Sequence, residues 1–332
     1  MRFPAAAQDV GVKLQGGVAI QKNGSGEVSL NIRDAVLIAN PLAGRGRAAH
    51  RLEEARRVLS QAGIETELVT TTAPGDATLT ARRAVEQDRE LVIVCGGDGT
   101  VNEAVNGLAG SQVPLAVLPA GTANVLAKEL GIPWNLPRAA RQLAHAKFQR
   151  IALGLAIPEK SSGSPRYFLS VAGAGPDAAI VAGVDPEIKN RAGVRAYWQE
   201  GFRQLSRYDF PLFRVVTQDH AVDATQVIVG RTRHYGGPFR ITTEADLMIP
   251  QFELAVVTTQ NPWIYLSYLP VIWAGQLRRV RHVQFWKTTS VSCVPADSSP
   301  LLIHVDGEPA GRLPAEFRIV PDALTLAVPN SV

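Results

Sequence analysis

Cysteine is nearly absent: the 332 residues hold two, Cys95 and Cys293. That excludes a disulfide scaffold and a cysteine-rich zinc site. Both lie in apolar, strand-like runs, so buried reduced thiols are expected. Charge is scarce as well. Charged residues make 19% of the chain, below the roughly 25% of an ordinary soluble domain, while apolar residues make 46%. A mainly disordered chain needs the opposite balance. Long hydrophobic runs are missing too, since nothing approaches the roughly 20 apolar residues of a transmembrane helix. The longest candidate, Pro262 to Gly275, is broken by Pro270. Only Arg2 precedes Asp9 and no apolar segment of signal-peptide type follows, so a cytoplasmic protein is expected. The six histidines show no metal spacing, although His304 lies two residues before Asp306.

What is present suffices for two domains with a sizeable core. There are 34 Lys and Arg against 30 Asp and Glu, a net charge of +4. That surplus favours an anionic partner such as a nucleotide, a phosphate or an acidic lipid, and is too small to argue for nucleic acid. Residues 1–33, rich in Gly, Gln, Lys and Asn, read as a loose extension with one short hairpin. From Ala35 a new rhythm begins. Apolar strand runs at 35–39, 64–70, 91–95 and 115–118 alternate with helical patterns at 47–62, 76–87, 101–108 and 123–130. Asp76 is placed to cap the second helix. Alternation of this kind predicts a parallel sheet covered by helices over 34–150. Beyond residue 150, short runs at 167–171, 213–217, 226–229, 252–257, 291–294, 301–305 and 324–328 predict a mainly antiparallel β domain over 151–330. Helices are expected in it near 186–206 and 264–275.

Three turns stand where strands of the first domain end. The strongest signal is Gly96-Gly97-Asp98-Gly99-Thr100-Val101-Asn102-Glu103, directly after the third strand. Glycines let the backbone approach a ligand, and exposed N–H groups at a helix start favour phosphate. Asp98 puts a carboxylate beside them, and Thr100, Asn102 and Glu103 add polar contacts. The second turn, Pro119-Ala120-Gly121-Thr122-Ala123-Asn124, opens on the same carboxyl edge, where ligands bind in such sheets. Read alone it is also an ordinary capped loop. The third, Asn40-Pro41-Leu42-Ala43-Gly44-Arg45-Gly46-Arg47, lacks the Gly-Lys-Ser/Thr ending of a P-loop. Thr71-Thr72 follows the second strand at the same edge. Late in the chain, Asp306 and Glu308 flank Gly307 after a β run, and as a strand pair they would face one side. A lone Gly173-Ala174-Gly175 imitates a dinucleotide fingerprint, but Pro176 and the missing βαβ context oppose it.

Taken in order, Asn40-Pro41 with Gly44, Gly96 to Thr100, Pro119 to Asn124 and Asp306-Gly307-Glu308 resemble the diacylglycerol kinase catalytic family over roughly residues 34–330. Weaker likeness lies in Gly173 to Ala178, in Lys189, Gly193 and Tyr197, and in Gly236-Gly237. The resemblance implies a phosphofructokinase-like α/β nucleotide domain, then a β-sandwich, with the active site between them. It implies an ATP- and Mg²⁺-dependent kinase of a lipid hydroxyl, working at the inner face of a membrane as a peripheral protein. By the same resemblance Asn40, Thr71, Gly96, Gly97, Asp98, Gly99, Thr100, Asn102, Glu103, Gly121, Thr122 and Asn124 bind ATP, and Asp306 or Glu308 accepts the hydroxyl proton. Two departures stand out. Val125 replaces a frequent Asp, and Ile249-Pro250 replaces an Asp-Gly pair linked to a bound Mg²⁺, with Asp246 the nearest carboxylate.

The aromatic run Pro262 to Trp273, followed by Arg278, Arg279, Arg281 and His282, suits either a membrane interface or the wall of an acyl-chain cleft, and equally a helix packed on the sandwich. Two other readings remain: a kinase of a soluble alcohol, similar to NAD kinase, and a non-catalytic nucleotide or lipid sensor that keeps the fold. An oligomer is compatible with all three.

Overall fold

The computed structural model describes residues 20–22, 28–30, 32–43, 49–183, 208–236 and 239–330. Gly44 to Arg47, Lys189, Gly193, Tyr197, Gly237 and the helix expected near 186–206 lie outside them.

Strands β1 (Ile20–Lys22) and β2 (Val28–Leu30) pair antiparallel, as the expected short hairpin. The α/β half follows: β3 (Asp34–Ala39), α1 (Ala49–Gln61), β4 (Glu65–Thr70), α2 (Asp76–Glu86), β5 (Leu91–Gly96), α3 (Asp98–Leu108), β6 (Leu115–Pro119), α4 (Val125–Glu129) and α5 (Leu136–Leu143). Its strands run parallel in the order β4-β3-β5-β6. Every residue of β5 and β6 is buried, as continuous apolar strands of a two-sided parallel sheet must be, whereas β4 is an exposed edge. The order reverses between β3 and β5, which is where such sheets open a crevice at their carboxyl ends. Helix α3 starts at Asp98 rather than near 101, with Gly97 as its cap, and α4 starts at Val125 rather than 123. Asp76 does not cap α2. Its carboxylate turns back to accept from Thr72 N–H and Oγ1 and from Ala73 N–H, which holds its carboxyl below the ordinary range.

The remaining strands are β7 (Lys147–Pro158), β8 (Arg166–Phe168), β9 (Val171–Ala174), β10 (Phe213–Val216), β11 (Ala221–Ala224), β12 (Gln226–Gly230), β13 (His234–Tyr235), β14 (Phe239–Arg240), β15 (Phe252–Val257), β16 (Val283–Thr288), β17 (Ser290–Pro295), β18 (Leu302–Val305), β19 (Glu308–Arg312) and β20 (Ala315–Val328). Helix α6 (Pro176–Gly183) follows β9, and α7 (Pro262–Trp273) follows β15. Six strands form an antiparallel sheet, β16-β15-β12-β9-β18-β19. The opposing layer is the antiparallel half of the large sheet, which runs β11-β10-β17-β20 and joins the parallel half through β20 and β6. Between the layers Phe168 stacks on Phe252 at 5.6 Å and meets Phe317 edge-on at 6.4 Å, while Cys293 is fully buried beside them. Burial raises the pKa of both thiols, that of Cys95 to about 12, as expected of inert core cysteines.

The division expected near residue 150 falls inside β7. This 12-residue strand pairs along β20, and both pass from one half of the molecule into the other. The two halves therefore share a sheet.

Candidate active site

Four turns meet at the carboxyl ends of the parallel strands. After β3, Asn40 donates from Nδ2 to Thr100 Oγ1 at 3.2 Å and accepts Leu42 N–H on Oδ1 at 2.9 Å. After β4, Thr71 N–H donates to Ala39 O at 2.9 Å. After β5 and β6 the two glycine turns touch. Gly96 O accepts the N–H groups of Ala120 and Gly121 at 3.0 and 3.1 Å, and a Cβ at Gly121 would lie 2.4 Å from Gly97 Cα. Only glycine allows that approach. Asn124, in the left-handed region at φ 45°, clasps Gly121 through both its N–H and its carbonyl.

Asp98 opens α3 and accepts Val125 N–H at 2.6 Å, so one carboxylate caps the first turn of α4 while standing in the first turn of α3. The bond uses the backbone of Val125, which is indifferent to the missing Asp side chain there. Burial pushes the Asp98 carboxyl above the usual carboxylate range, and the negative charge of Asp306 adds to the rise.

The other carboxylates come from the sandwich. Asp306 and Gly307 both have positive φ, 47° and 79°, and form the tight turn between β18 and β19, in which Val305 pairs with Glu308. The expected strand pair facing one side is therefore replaced by a hairpin tip. The Asp306 carboxylate accepts four hydrogen bonds: from Asn102 Nδ2 at 2.8 Å, and from the N–H groups of Leu169, Ser170 and Val171 at 3.0, 3.0 and 2.8 Å. Its lone pairs are committed to clamping α3 onto β8 and β9. Glu308 instead lies against the phosphate-type turn, its Oε1 3.3 Å from where a Cβ on Gly99 would stand.

One cavity of about 860 Å³ joins these elements. Asn40, Thr71, Gly97, Asp98, Gly99, Thr100, Glu103, Gly121, Thr122, Asp306 and Glu308 line its polar end. Gly96, Asn102 and Asn124 do not. Gly96 and Asn124 brace the turns from behind. Asn102, 1% exposed, faces the sandwich, where it donates to Tyr167 O and Asp306 and accepts from Arg166 Nε. It is an interdomain tie rather than a nucleotide contact. At its far end the cavity becomes an apolar chamber walled by Ile228, Ile241, Ala255 and Val257 and roofed by Tyr265, Leu269 and Ile272 of α7. Asp177, Tyr235 and His304 stand between the two ends. Of these, His304 is visible in the sequence as a histidine near Asp306, while nothing there marks Asp177 or Tyr235 as its partners.

The Mg²⁺ that the resemblance links to the 245–250 segment does not suit the residues present. The segment's carbonyls already hold a cation. Arg231, fully buried, donates to Leu247 O at 2.7 Å, Gln251 O at 3.0 Å, Ile249 O, and Ala152 O at 2.9 Å. Burial lowers its guanidinium to about 10, still charged at neutral pH. A metal ion on the same oxygens would face that charge. Among the described residues no cluster of three His, Cys, Asp or Glu offers another metal site.

Glycine turns on a parallel sheet, facing a carboxylate hairpin across one cleft, define a two-domain kinase. The Diacylglycerol kinase catalytic domain family matches residues 34–156, and the YegS C-terminal NAD kinase beta sandwich-like domain matches 170–328. The two matches together span most of the chain, and a diacylglycerol kinase catalytic domain with relatives of that name indicates a lipid kinase. It is 29% identical over 298 residues to the diacylglycerol kinase of Bacillus subtilis (strain 168), covering 86% of this chain and 93% of that one. A diacylglycerol kinase of Mycobacterium tuberculosis (strain ATCC 25618 / H37Rv) is also 29% identical over 304 residues, covering 88% and 94%. The crystal structure of a diacylglycerol kinase from Bacillus anthracis str. Sterne superposes with a TM-score of 0.68 at 19% identity, over 90% of this chain and 98% of that one. A second solved chain from that organism gives 0.74 at 21%, over 90% and 96%. At these identities the solved structures bear on the fold alone.

Proposed function

We propose that this chain transfers the γ-phosphate of ATP to the hydroxyl of diacylglycerol or a related lipid alcohol. The observation that carries the reading is the single cavity, polar among the glycine turns and apolar beneath α7. At about 860 Å³ it lies within the roughly 300–1,000 Å³ of small-molecule sites. In this reading the N–H groups of Gly97 and Gly99 and the start of the 11-residue α3 receive the phosphates, with Asn40, Thr71 and Thr122 beside the nucleotide. Asp98 and Glu308 are the residues that would hold Mg²⁺ arriving with ATP, and the ion would supply charge neutralisation of the transferring phosphoryl group. Acyl chains lie in the chamber, so the lipid's free hydroxyl is delivered toward the turns. Phosphoryl transfer of this type depends mainly on such positioning. With γ-labelled ATP and a total lipid extract, label is expected in the organic phase. Label in the aqueous phase would select a soluble alcohol as acceptor instead, and ATP binding without transfer would select a sensor.

Helix α7 supports a membrane contact. Trp263 and Trp273 are each 76% exposed, near its two ends, while Tyr265 and Tyr268 are buried. Arg279, Arg281 and His282 follow on the surface. Exposed indoles beside basic residues suit an anionic lipid surface, and the same helix roofs the chamber. No helix among the described residues is long and apolar enough to cross a membrane. Replacing Trp263 and Trp273 together with Ala is expected to weaken sedimentation with phosphatidylglycerol vesicles by about 10-fold or more, since burying an aromatic ring is worth over 1 kcal/mol, with ATP affinity unchanged. Unchanged vesicle binding would remove α7 from the interface.

A further inference from the structure

The chamber beneath α7 holds a polar side chain that the fold does not use. In the six-stranded sheet His304 is opposite Gly173, Gly173 is opposite Ile228, and Ile228 is opposite Ala255. Opposed residues share a face, and this row forms part of the cavity wall. Gln226 stands two residues before Ile228 on β12, so it faces the same way, opposite Val257. It lies about 7 Å from the row of Ile228, on the side away from Asp306. Gln226, Ile228, Ala255 and Val257 all line the cavity, which sets an amide among apolar walls. On one flank it adjoins the start of α6, since a Cβ on Gly175 would lie 3.1 Å from the Gln226 Cβ. On the other, Tyr265 of α7 bonds the neighbouring Thr225 at 2.8 Å.

The other polar groups around the chamber are paired or closed off. Gly173 leaves a gap in its row, where a Cβ would come within 2.6 Å of Asp177 Oδ2. Through this gap Asp177 reaches His304 Nε2 at 3.0 Å, and Tyr235 Oη donates to the same carboxylate oxygen at 3.3 Å. Thr225 Oγ1 donates to Thr259 O at 2.7 Å, so it accepts from Tyr265 Oη. Tyr268 Oη has no partner but is sealed within the wall. Gln226 differs from all of these. It is only half-buried, it keeps surface toward the cavity, and its amide has no hydrogen-bond partner among the described residues. Water can pair with it while the cavity is open. A hydrocarbon chain laid over it would strip that water and return nothing, which is costly for an amide.

We propose that Gln226 determines which lipid alcohols are accepted, its Nε2 donating to an acyl ester carbonyl of the bound diacylglycerol. The proposal rests on the lipid kinase reading and names the linkage that the substrate must carry. An ester carbonyl only accepts, which matches the donor half of the amide. A lipid joined to its chains by ether bonds has no carbonyl to offer, and it leaves the amide buried without a partner. Sites built to hydrogen-bond a substrate group reject analogues lacking that group for this reason. Gln226 touches no reacting atom, so it acts on the choice of lipid and its placement, not on phosphoryl transfer itself.

The test compares 1,2-dioleoylglycerol with its diether analogue, 1,2-di-O-oleylglycerol, each in phosphatidylglycerol vesicles with γ-labelled ATP. The two lipids have chains of equal length and differ only in the carbonyls. Wild type is expected to prefer the diester by about tenfold or more in kcat/KM, the scale of one hydrogen bond to a buried group. In Gln226→Leu the preference should fall to about twofold or less, with ATP affinity kept, and Gln226→Met, closer in shape, should behave alike. A wild-type preference below about threefold, or one that persists undiminished in both variants, would overturn the role of Gln226 and leave the lipid reading standing. A merely structural glutamine would lower turnover of both lipids by one factor, which keeps the ratio and counts against the proposal. If Gln226→Leu does not fold, Gln226→Met decides by the same ratio. No organic-phase label from the wild-type protein with either lipid would overturn both readings.

Discussion

Replacing Asp98 with Asn is expected to lower transfer of phosphate to lipid by about a thousandfold while raising the protein's melting temperature at pH 7. Asn keeps an oxygen for Val125 N–H, now 2.6 Å from the carboxylate, so the link between α3 and α4 survives. What disappears is the negative charge in the first turn of α3, at the contact of the two glycine turns. That charge is expensive. Burial raises the Asp98 carboxyl above its ordinary 3.8, and Asp306 repels it further. A carboxyl raised in this way binds its proton more readily in the folded than in the unfolded protein. Its contribution to stability is full below pH 3.8 and is lost as pH rises through the raised folded value. The neutral Asn protein should therefore melt higher than wild type at pH 7, and the gap should close below pH 3.8. Radiometric assays and melting curves at the two pH values check both halves. Full activity in the Asn protein would remove Asp98 from the reaction. A lower melting temperature at pH 7 would mean that its bond to Val125 outweighs its desolvation.

Much of this site is legible along the chain because it is local. Strand, glycine turn and helix are contiguous at 91–108 and again at 115–129, and the sequence carries both the turn chemistry and the helix that follows. The side-chain roles are less legible, since they depend on what the fold brings opposite. Asn102 reads as a nucleotide contact by its place after Gly99, yet a helix turn aims it at Asp306, 204 residues away. Asp306 and Glu308 read as a strand pair because period two is the default after a β run, but positive φ at Asp306 and Gly307 makes them a hairpin tip. The partnership of His304 and Asp177 spans 127 residues and needs the gap at Gly173, which in the sequence is only one glycine among 29. The sharing of one sheet by both halves is hidden for a similar reason. Strand β7 reads partly polar at 147–150 because its amino end is half exposed, and the parallel contact of β20 with β6 joins strands about 200 residues apart.

Arg231 follows the apolar run Val227 to Gly230, where sequence alone gives an arginine at a strand end no reason for burial. Its replacement by Met is expected to lower stability by about 3–5 kcal/mol, because several buried hydrogen bonds are lost together. Met fills much the same volume, so the cost is one of hydrogen bonding. The carbonyls of Ala152, Leu247, Ile249 and Gln251 lose their donor together, and a buried acceptor without a partner costs about 1–3 kcal/mol. Lys is expected to recover only part of the loss, since an ammonium has three donors in no fixed fork. The effect should also reach the reaction. Arg231 N–H donates to Ser170 O, and the N–H of Ser170 is one of the four donors on Asp306. Slackening at Arg231 therefore loosens the clamp between α3 and the sandwich, and kcat should fall at temperatures well below melting. Denaturant titration of the Met and Lys variants measures the first effect, and transfer assays at low temperature the second. A chelator should leave the wild-type transition in place, because the guanidinium rather than a metal ion neutralises these carbonyls. A chelator-induced loss comparable to that of the Met variant would return the 245–250 segment to metal binding. A loss below about 1 kcal/mol in the Met variant would mean that water replaces the guanidinium without strain.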